Sequence, residues 1–214
     1  MVLCGDIAVG TRGIQWAQQA IPDRPVICVL GNHEYYGHDF DALISEAKAC
    51  AQGTHVHVLE NDAVQIGRLR VLGCTLWTDF ACFGIERQAA AQTEAWLMMS
   101  DYELIRRHGD RPLTPKATAE RCQDSRAWLD REISRASDPL LVVTHMAPSL
   151  ITMNPKFEGD ISNGAFHNAF DDLIRPPVRA WIHGHTHWCA HPRVNGIPLL
   201  TNQRGYPAES TGDF

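Results

Sequence analysis

The sequence contains 214 residues, of which 44% are hydrophobic, and its formal net charge is −6. The negative charge argues against a general nucleic-acid coat or a protein of the membrane surface, because both depend on positive charge, and no apolar run is long enough for a transmembrane helix. Seven cysteines without a CxxC pair, and no secretory signal pattern, lead us to expect a reduced, cytoplasmic protein. The length predicts one domain over residues 1–214.

Strands and helices alternate along the first part of the chain. A short strand over Met1–Cys4 precedes a helix from Gly10 to about Ala20, and the continuous apolar run Pro25–Leu30 predicts a strand buried on both faces. A second helix is predicted from an apolar stripe at helical spacing, formed by Phe40, Leu43, Ala47 and Ala51. Three short strands are predicted next, near Val56–Leu59, Ala63–Ile66 and Leu69–Cys74.

The second part of the chain begins with residues 84–110, which we expect to form a helical excursion. Thr114 and Pro115 predict the N-cap and first residue of a long helix, with one face made of Ala119, Cys122, Ser125, Leu129 and Ile133. The remaining predicted elements are a buried strand at Leu140–Thr144, a loop at 147–165 and a short helix at Phe166–Ile174. They are followed by three strands, at Arg179–His183, Cys189–Val194 and Pro198–Thr201. Such an order predicts an α/β domain whose sheets are covered by helices.

Polar residues follow four of the predicted apolar strands, in the segments Gly5-Asp6, Gly31-Asn32-His33-Glu34, Thr144-His145 and His183-Gly184-His185-Thr186-His187. Functional groups gather at the C-terminal ends of strands in α/β proteins. Asp, Asn and His are ligands suited to Mn²⁺, Fe or Zn²⁺. Taken singly, each segment has a structural alternative: a helix cap, a turn, a core histidine or a polar edge strand. Four such segments are hard to obtain from packing alone, so we predict a shared metal site.

A second His-x-His pair provides an internal comparison. His55 and His57 lie between a helix and a short strand, with neither a glycine turn nor an apolar run before them. Placement at a strand end distinguishes His185 and His187 from this pair, and we interpret His55 and His57 as non-functional.

The four segments, in this order, resemble the motifs of the calcineurin-like metallophosphoesterases. The resemblance extends from residue 2 to about residue 210 and is most specific in GNHE and GHTH. The surrounding segments GDIAVG, GNHEYYG, LWTDF, THMAPS and NQRGYP are similar to a bacterial single-domain subgroup. The resemblance implies a two-layered β-sheet sandwich flanked by helices, and a two-metal hydrolase.

The same resemblance implies a role for each motif residue. Asp6 would bridge two ions, Asn32, His145 and His185 would complete the shell of one, and His187 would bind the other. His33 would face the scissile phosphate, either steadying its charge or protonating the leaving alkoxide, and Glu34 would orient His33. Three further residues border the site or are structural loop residues: Asp79, Asn202 and Arg204.

The chain departs from the family pattern at its beginning. The family starts with a strand that ends in Asp-x-His, and no Asp-x-His occurs in this sequence. We therefore expect a fold truncated at the first strand, one complete metal site and a second that is weak, and low or conditional activity. The edge of strand Met1–Cys4 would then be open, and we expect either a partner chain, such as a second copy, to cover it, or a local rearrangement, or a frayed N-terminus.

These features favour an enzyme that hydrolyses phosphate mono- or diesters of small molecules. A nucleotide would be an acceptable substrate, whereas nothing favours a nucleic-acid strand. The alternative is a catalytically weak or inactive relative that binds a metal or phosphate ligand. A different metallohydrolase, such as an amidohydrolase, is disfavoured because Gly-Asn-His-Glu has no natural role in those mechanisms.

Overall fold

Two β-sheets form the centre of the fold in the computed structural model, which describes residues 1–212. Their strands are β1 (Val2–Leu3), β2 (Val26–Cys28), β3 (Val56–Val58), β4 (Asp62–Ile66), β5 (Leu69–Cys74), β8 (Leu140–Thr144), β9 (Val178–Ile182), β10 (Arg193–Val194) and β11 (Ile197–Leu200), while β6 (Arg106–Arg107) and β7 (Arg111–Pro112) form a separate antiparallel pair. The first sheet is parallel, in the order β1-β2-β3. The second has the order β10-β11-β9-β8-β5-β4, and β11, β9, β8 and β5 are parallel.

A compact apolar cluster joins the two sheets. Ile27 comes from β2, whereas Val71 and Val143 come from β5 and β8, and all three are buried in one cluster with Val29 and Leu59. The alternation of side chains along each strand turns these β-branched residues toward the opposite sheet. The predicted two-layered sandwich is therefore confirmed.

Helices cover the outer faces of the sheets. They are α1 (Arg12–Ala20), α2 (Ala42–Ala51), α3 (Gln88–Met98), α4 (Asp101–Leu104) and α5 (Pro115–Arg135). The side chain of Thr114 accepts a hydrogen bond from the N–H of Ala117, as expected for an N-cap followed by proline. The buried residues of α5 include Cys122, Leu129 and Ile133, which belong to the larger core cluster. In residues 1–212, none of these helices has the length and apolar character needed to cross a membrane.

The predicted helix over Phe166–Ile174 is wrong. The structure has short 3-10 turns at Ile161–Ala165 and Asp171–Leu173, with an extended piece between them. The backbone of this piece bonds to a neighbouring loop instead of to itself, because Asn168 and Phe170 donate N–H bonds to the carbonyls of Ala147 and Pro148. The Asn168 side chain also binds the carbonyl of Trp77, at 2.9 Å. Tertiary hydrogen bonds thus replace the helical ones that were predicted for this segment.

Candidate metal centre

Four polar side chains meet where strands of both sheets end. Asp6 follows β1, Asn32 follows β2, His145 follows β8 and His185 follows β9. Because β1 and β2 are parallel, as are β8 and β9, each pair delivers its side chains to the same edge of its sheet. Ligand atoms of Asp6, His145 and His185 all lie within 4.8 Å of one another. Within residues 1–212, this is the one group of three or more His, Cys, Asp or Glu side chains close enough together to hold a metal ion.

The group is centred on one ring nitrogen of His145. Its Nε2 atom lies 3.0 Å from Asn32 Oδ1, 3.2 Å from His185 Nδ1 and 3.4 Å from Asp6 Oδ2. The other ring nitrogen, Nδ1, lies 2.5 Å from the carbonyl oxygen of Cys4, which can only accept. His145 therefore has its Nδ1 hydrogen directed at Cys4 and its Nε2 directed at the group.

These atoms fit a divalent cation better than they fit each other. His145 Nε2 can present at most one hydrogen to its three neighbours, two of which are oxygens that have no hydrogen to give. A cation at this point would be shared by all four side chains, which offer the carboxylate, amide and imidazole donors that Mn²⁺, Fe and Zn²⁺ accept. The residues present therefore suit the metal that their sequence pattern predicts.

The pKa shifts of these side chains also indicate a site that attracts positive charge. Burial opposes the charged forms of Asp6 and His145, but their mutual attraction outweighs burial, so the pKa of Asp6 is lowered and the pKa of His145 is raised. Burial and the neighbouring His145 lower the pKa of His185, which keeps that ring neutral. These opposite shifts of Asp6 and His145 indicate that the group favours positive charge beside the Asp6 carboxylate.

Backbone geometry brings these side chains unusually close. Asp6 and His185 both have positive φ angles, of 57° and 67°, which non-glycine residues seldom adopt outside constrained sites. A Cβ atom at Gly31 would overlap the Asp6 carboxylate and the His145 ring. The glycine before Asn32 is therefore required by close approach at this position.

His33 lies at the outer side of the group. Its backbone N–H donates to Asp6 Oδ1 at 3.0 Å, which links its position to the carboxylate that faces His145. Its ring stacks on Tyr36 with centroids 4.7 Å apart, and its Nε2 lies 3.4 Å from the hydroxyl of Tyr206. This arrangement leaves the His33 ring between two tyrosines, on the outer side of the Asp6 carboxylate.

Comparison with known proteins agrees with this geometry. The model of the calcineurin-like phosphoesterase family matches residues 1–189. The chain belongs to this family. It is 27% identical over 204 residues to uncharacterized protein L509 of Acanthamoeba polyphaga mimivirus, covering 86% of this chain and 69% of that protein. Its fold is similar to that of phosphopantetheinyl hydrolase PptH from Mycobacterium tuberculosis, with a TM-score of 0.74, 18% identity and coverage of 96% and 79% of the two chains.

Glu34 of this calcineurin-like chain has a different position from the one expected beside His33. The residue is buried, and its two carboxylate oxygens accept hydrogen bonds from the backbone N–H groups of Asp6, Ile7, Ala8 and Gly31. Burial, followed by the charge of Asp6, raises the pKa of Glu34. The expectation that Glu34 orients the His33 ring is corrected: Glu34 holds the backbone loops that present Asp6 and Asn32.

His187 lies outside the three-residue group. Its Nδ1 is 2.6 Å from a carboxylate oxygen of Glu209, and its ring makes a T-shaped contact with the ring of Tyr206, with the ring centroids 4.9 Å apart. The backbone N–H of His187 donates to the side chain of Gln203 at 2.7 Å, and Gln203 also donates to Thr186. A carboxylate on one ring nitrogen is a common support for a histidine that binds metal through the other. The role of His187 as a ligand of a second ion stays a prediction.

The three residues predicted at the border of the site do not reach the group. Asp79 accepts a hydrogen bond from the N–H of Ala81 and so closes its own loop. Asn202 and Arg204 are exposed, and their side chains make no hydrogen bond or ion pair within the described part of the chain. Between them, Gln203 makes the contacts with the histidine loop. Their proposed role in binding substrate stays a prediction.

Several supporting residues escaped the sequence analysis. Asp101 accepts a hydrogen bond from Asn32 Nδ2 and another from the hydroxyl of Tyr36, each at 2.8 Å. Burial raises the pKa of Asp101, and these two bonds oppose that shift. Nothing in the sequence near Asp101 marks it as a neighbour of Asn32, because 69 positions separate the two residues. Glu209 is equally unmarked, and Tyr206 was noted only as part of the segment NQRGYP, since both residues follow the last strand in a segment without periodicity.

Proposed function

We propose that this chain is a metal-dependent phosphoesterase that hydrolyses small phosphate mono- or diesters. The observation that supports this most directly is the convergence of an amide oxygen, a carboxylate oxygen and a second imidazole on His145 Nε2, within 3.4 Å. Membership of the calcineurin-like family gives that arrangement its chemistry.

Asp6, Asn32, His145 and His185 would hold one divalent ion, either Mn²⁺, Fe or Zn²⁺. Asp6 and His187 would contribute to a second, weaker site. A bound ion of this kind lowers the pKa of its water and offsets the negative charge of a phosphate ester. The buried positions of Asn32 and His145 keep their donor atoms directed at one point without rearrangement.

His33 is the residue we assign to the leaving group. Its main-chain bond to Asp6 fixes its distance from the metal ligands, and its Nε2 lies on the side where the partly exposed Tyr206 approaches. An imidazole can carry a proton and release it to a departing alkoxide.

A non-catalytic binding module is the second candidate. The observation that favours it is that His187 lies outside the compact group and pairs with Glu209. Asp6 and His187 alone would be two protein ligands for the second ion, and two seldom hold a catalytic ion. Under this reading, the chain would bind one ion tightly and turn over substrate slowly or not at all.

We also propose a cellular compartment, a class of substrates and an assembly for the protein. The seven cysteines are all free thiols, which supports a reducing compartment such as the cytoplasm. Small phosphate esters, nucleotides included, are the proposed substrates. Strand β1 pairs with β2 on one side, and a second copy of the chain could cover its other edge.

Hydrolysis of an aryl phosphate monoester and an aryl phosphate diester in the presence of Mn²⁺ tests the function. We expect turnover by the wild-type chain and its loss in Asp6→Ala. His57→Ala is the matched control, because His57 belongs to the other His-x-His pair, on β3. No turnover with Mn²⁺, Fe²⁺ or Zn²⁺, together with binding of a single ion, would favour the binding module.

A further inference from the structure

The carboxamide of Asn32 has only one orientation that satisfies both of its ends. Its Nδ2 lies 2.8 Å from Asp101 Oδ1, and its Oδ1 lies 3.0 Å from His145 Nε2. A carboxylate oxygen cannot donate, so the NH₂ group must face Asp101 and the oxygen must face the metal centre. Both residues are buried, so water does not offer the amide an alternative partner.

The same carboxylate oxygen also receives the hydroxyl of Tyr36. That bond is 2.8 Å long, and the ring of Tyr36 stacks on His33 with centroids 4.7 Å apart. Asp101 Oδ1 therefore lies at the junction between a metal ligand and the residue assigned to the leaving group. Asp101 itself is the first residue of α4 and accepts a backbone bond from Ile105, which holds it in place.

Building on the proposed function, we propose that Asp101 is a positioning residue that directs the Asn32 oxygen toward the cation and fixes Tyr36 against His33. An asparagine amide is nearly symmetric in shape, so without an acceptor at Asp101 its NH₂ group could turn toward the cation. That orientation would replace an oxygen ligand by two hydrogens. The helical excursion at residues 84–110 would thus contribute a residue that prepares the ion site before the ion arrives.

The test compares the Mn²⁺ affinity of the wild-type chain, Asp101→Leu and Asp101→Asn by titration calorimetry. Partners that orient metal ligands typically change metal affinity by about 10- to 100-fold when removed, so we expect that loss in Asp101→Leu. Asp101→Asn keeps an oxygen that can accept from Asn32 and Tyr36, and we expect its affinity to stay within about threefold of wild type.

Glu60→Leu is the matched control. Like Asp101, Glu60 is buried and accepts two hydrogen bonds on one oxygen, from the N–H and hydroxyl of Thr75 at 2.8 Å each. Its loss removes a comparable carboxylate from the same interior without touching Asn32. We expect a lower melting temperature and unchanged Mn²⁺ affinity for this variant.

The possible results separate the two proposals. A wild-type chain that does not bind Mn²⁺ rejects the proposed function and this inference with it. Tight wild-type binding with an Asp101→Leu affinity equal to that of Glu60→Leu rejects the inference alone. If Asp101→Leu does not fold, a double variant that combines Asn32→Asp with Asp101→Asn decides the question. In that variant an amide donor at position 101 again faces a carboxylate acceptor at position 32. The double variant should bind Mn²⁺ at least tenfold more tightly than Asn32→Asp alone, and equal affinities would overturn the inference.

Discussion

The candidate site has a deep half and an outer half, and the two are supported in different ways. The deep half consists of Asp6, Asn32, His145 and His185, which follow strands of both sheets and are held by buried partners. The outer half consists of His33 and His187, whose side-chain neighbours include Tyr206 and Glu209, two exposed residues beyond the last strand. The sheets thus fix the deep half, whereas a chain segment without regular structure supports the outer half. Changes in the two halves should therefore have different consequences.

The largest effect is expected from Glu34→Gln, which alters the support of the deep half. Four backbone N–H groups donate to the Glu34 carboxylate, and an amide would place its own hydrogens against some of them. Leaving buried donors without acceptors costs about 1–3 kcal/mol each. We expect the free energy of unfolding, measured with urea, to fall by roughly 3 kcal/mol, with weaker Mn²⁺ binding because Asp6 shifts.

Glu46→Gln serves as the control for that change. Glu46 is exposed on α2, so its substitution should alter stability by less than about 0.5 kcal/mol. Equal stabilities of the two variants would mean that the deep half does not depend on the buried carboxylate.

A smaller effect on the free energy of unfolding is expected from substitution of His167. This residue is buried and lies close enough to His185 to lower the pKa of that residue. Burial lowers the pKa of His167 to about 4, from the ordinary value of 6.5. Between these values the unfolded chain binds a proton that the folded chain excludes, so stability decreases as the pH falls. For His167→Phe, we expect the loss of stability between pH 6 and pH 5 to be about 1 kcal/mol smaller than for wild type.

The two chains share their other buried histidines, so the difference between the two pH profiles reports His167 together with its effect on the pKa values of His183 and His185. Urea unfolding at pH 7, 6 and 5 supplies the comparison. Parallel profiles would show that His167 is protonated equally in the folded and unfolded chains.

The deep half was readable from the sequence because each of its residues follows an apolar strand. Asp6, Asn32, His145 and His185 could be placed together from the sequence alone, since parallel strands bring their C-terminal ends to one edge of a sheet. The hydrogen-bond partners of Glu34 could not be predicted in the same way. Its neighbour along the chain is His33, but the 3-10 turn at His33–Tyr35 directs the carboxylate inward to the backbone.

The contacts that support the outer half could not be predicted, although Tyr206 lies in the segment NQRGYP that carries part of the family resemblance. Tyr206 and Glu209 belong to a segment with neither helical nor strand periodicity, and their contact with His33 and His187 depends on how that segment returns across the site. Asp101 lies in the excursion at residues 84–110, for which only helical character could be predicted. Long-range polar contacts of this kind leave no periodic signal in a single sequence.

The smallest effect is expected from Glu209→Ala, which alters the outer half alone. Glu209 is exposed, and the pair it forms with His187 lies near solvent, so the free energy of unfolding should change by less than about 0.5 kcal/mol. Mn²⁺ titration should show an unchanged first equivalent and a second equivalent weakened by about tenfold, because His187 loses the carboxylate that orients it. Ser210→Ala, an exposed change in the same segment, should alter neither equivalent. Weakening of the first equivalent by Glu209→Ala would show that the C-terminal segment supports the deep half as well, and the distinction between the two halves would then fail.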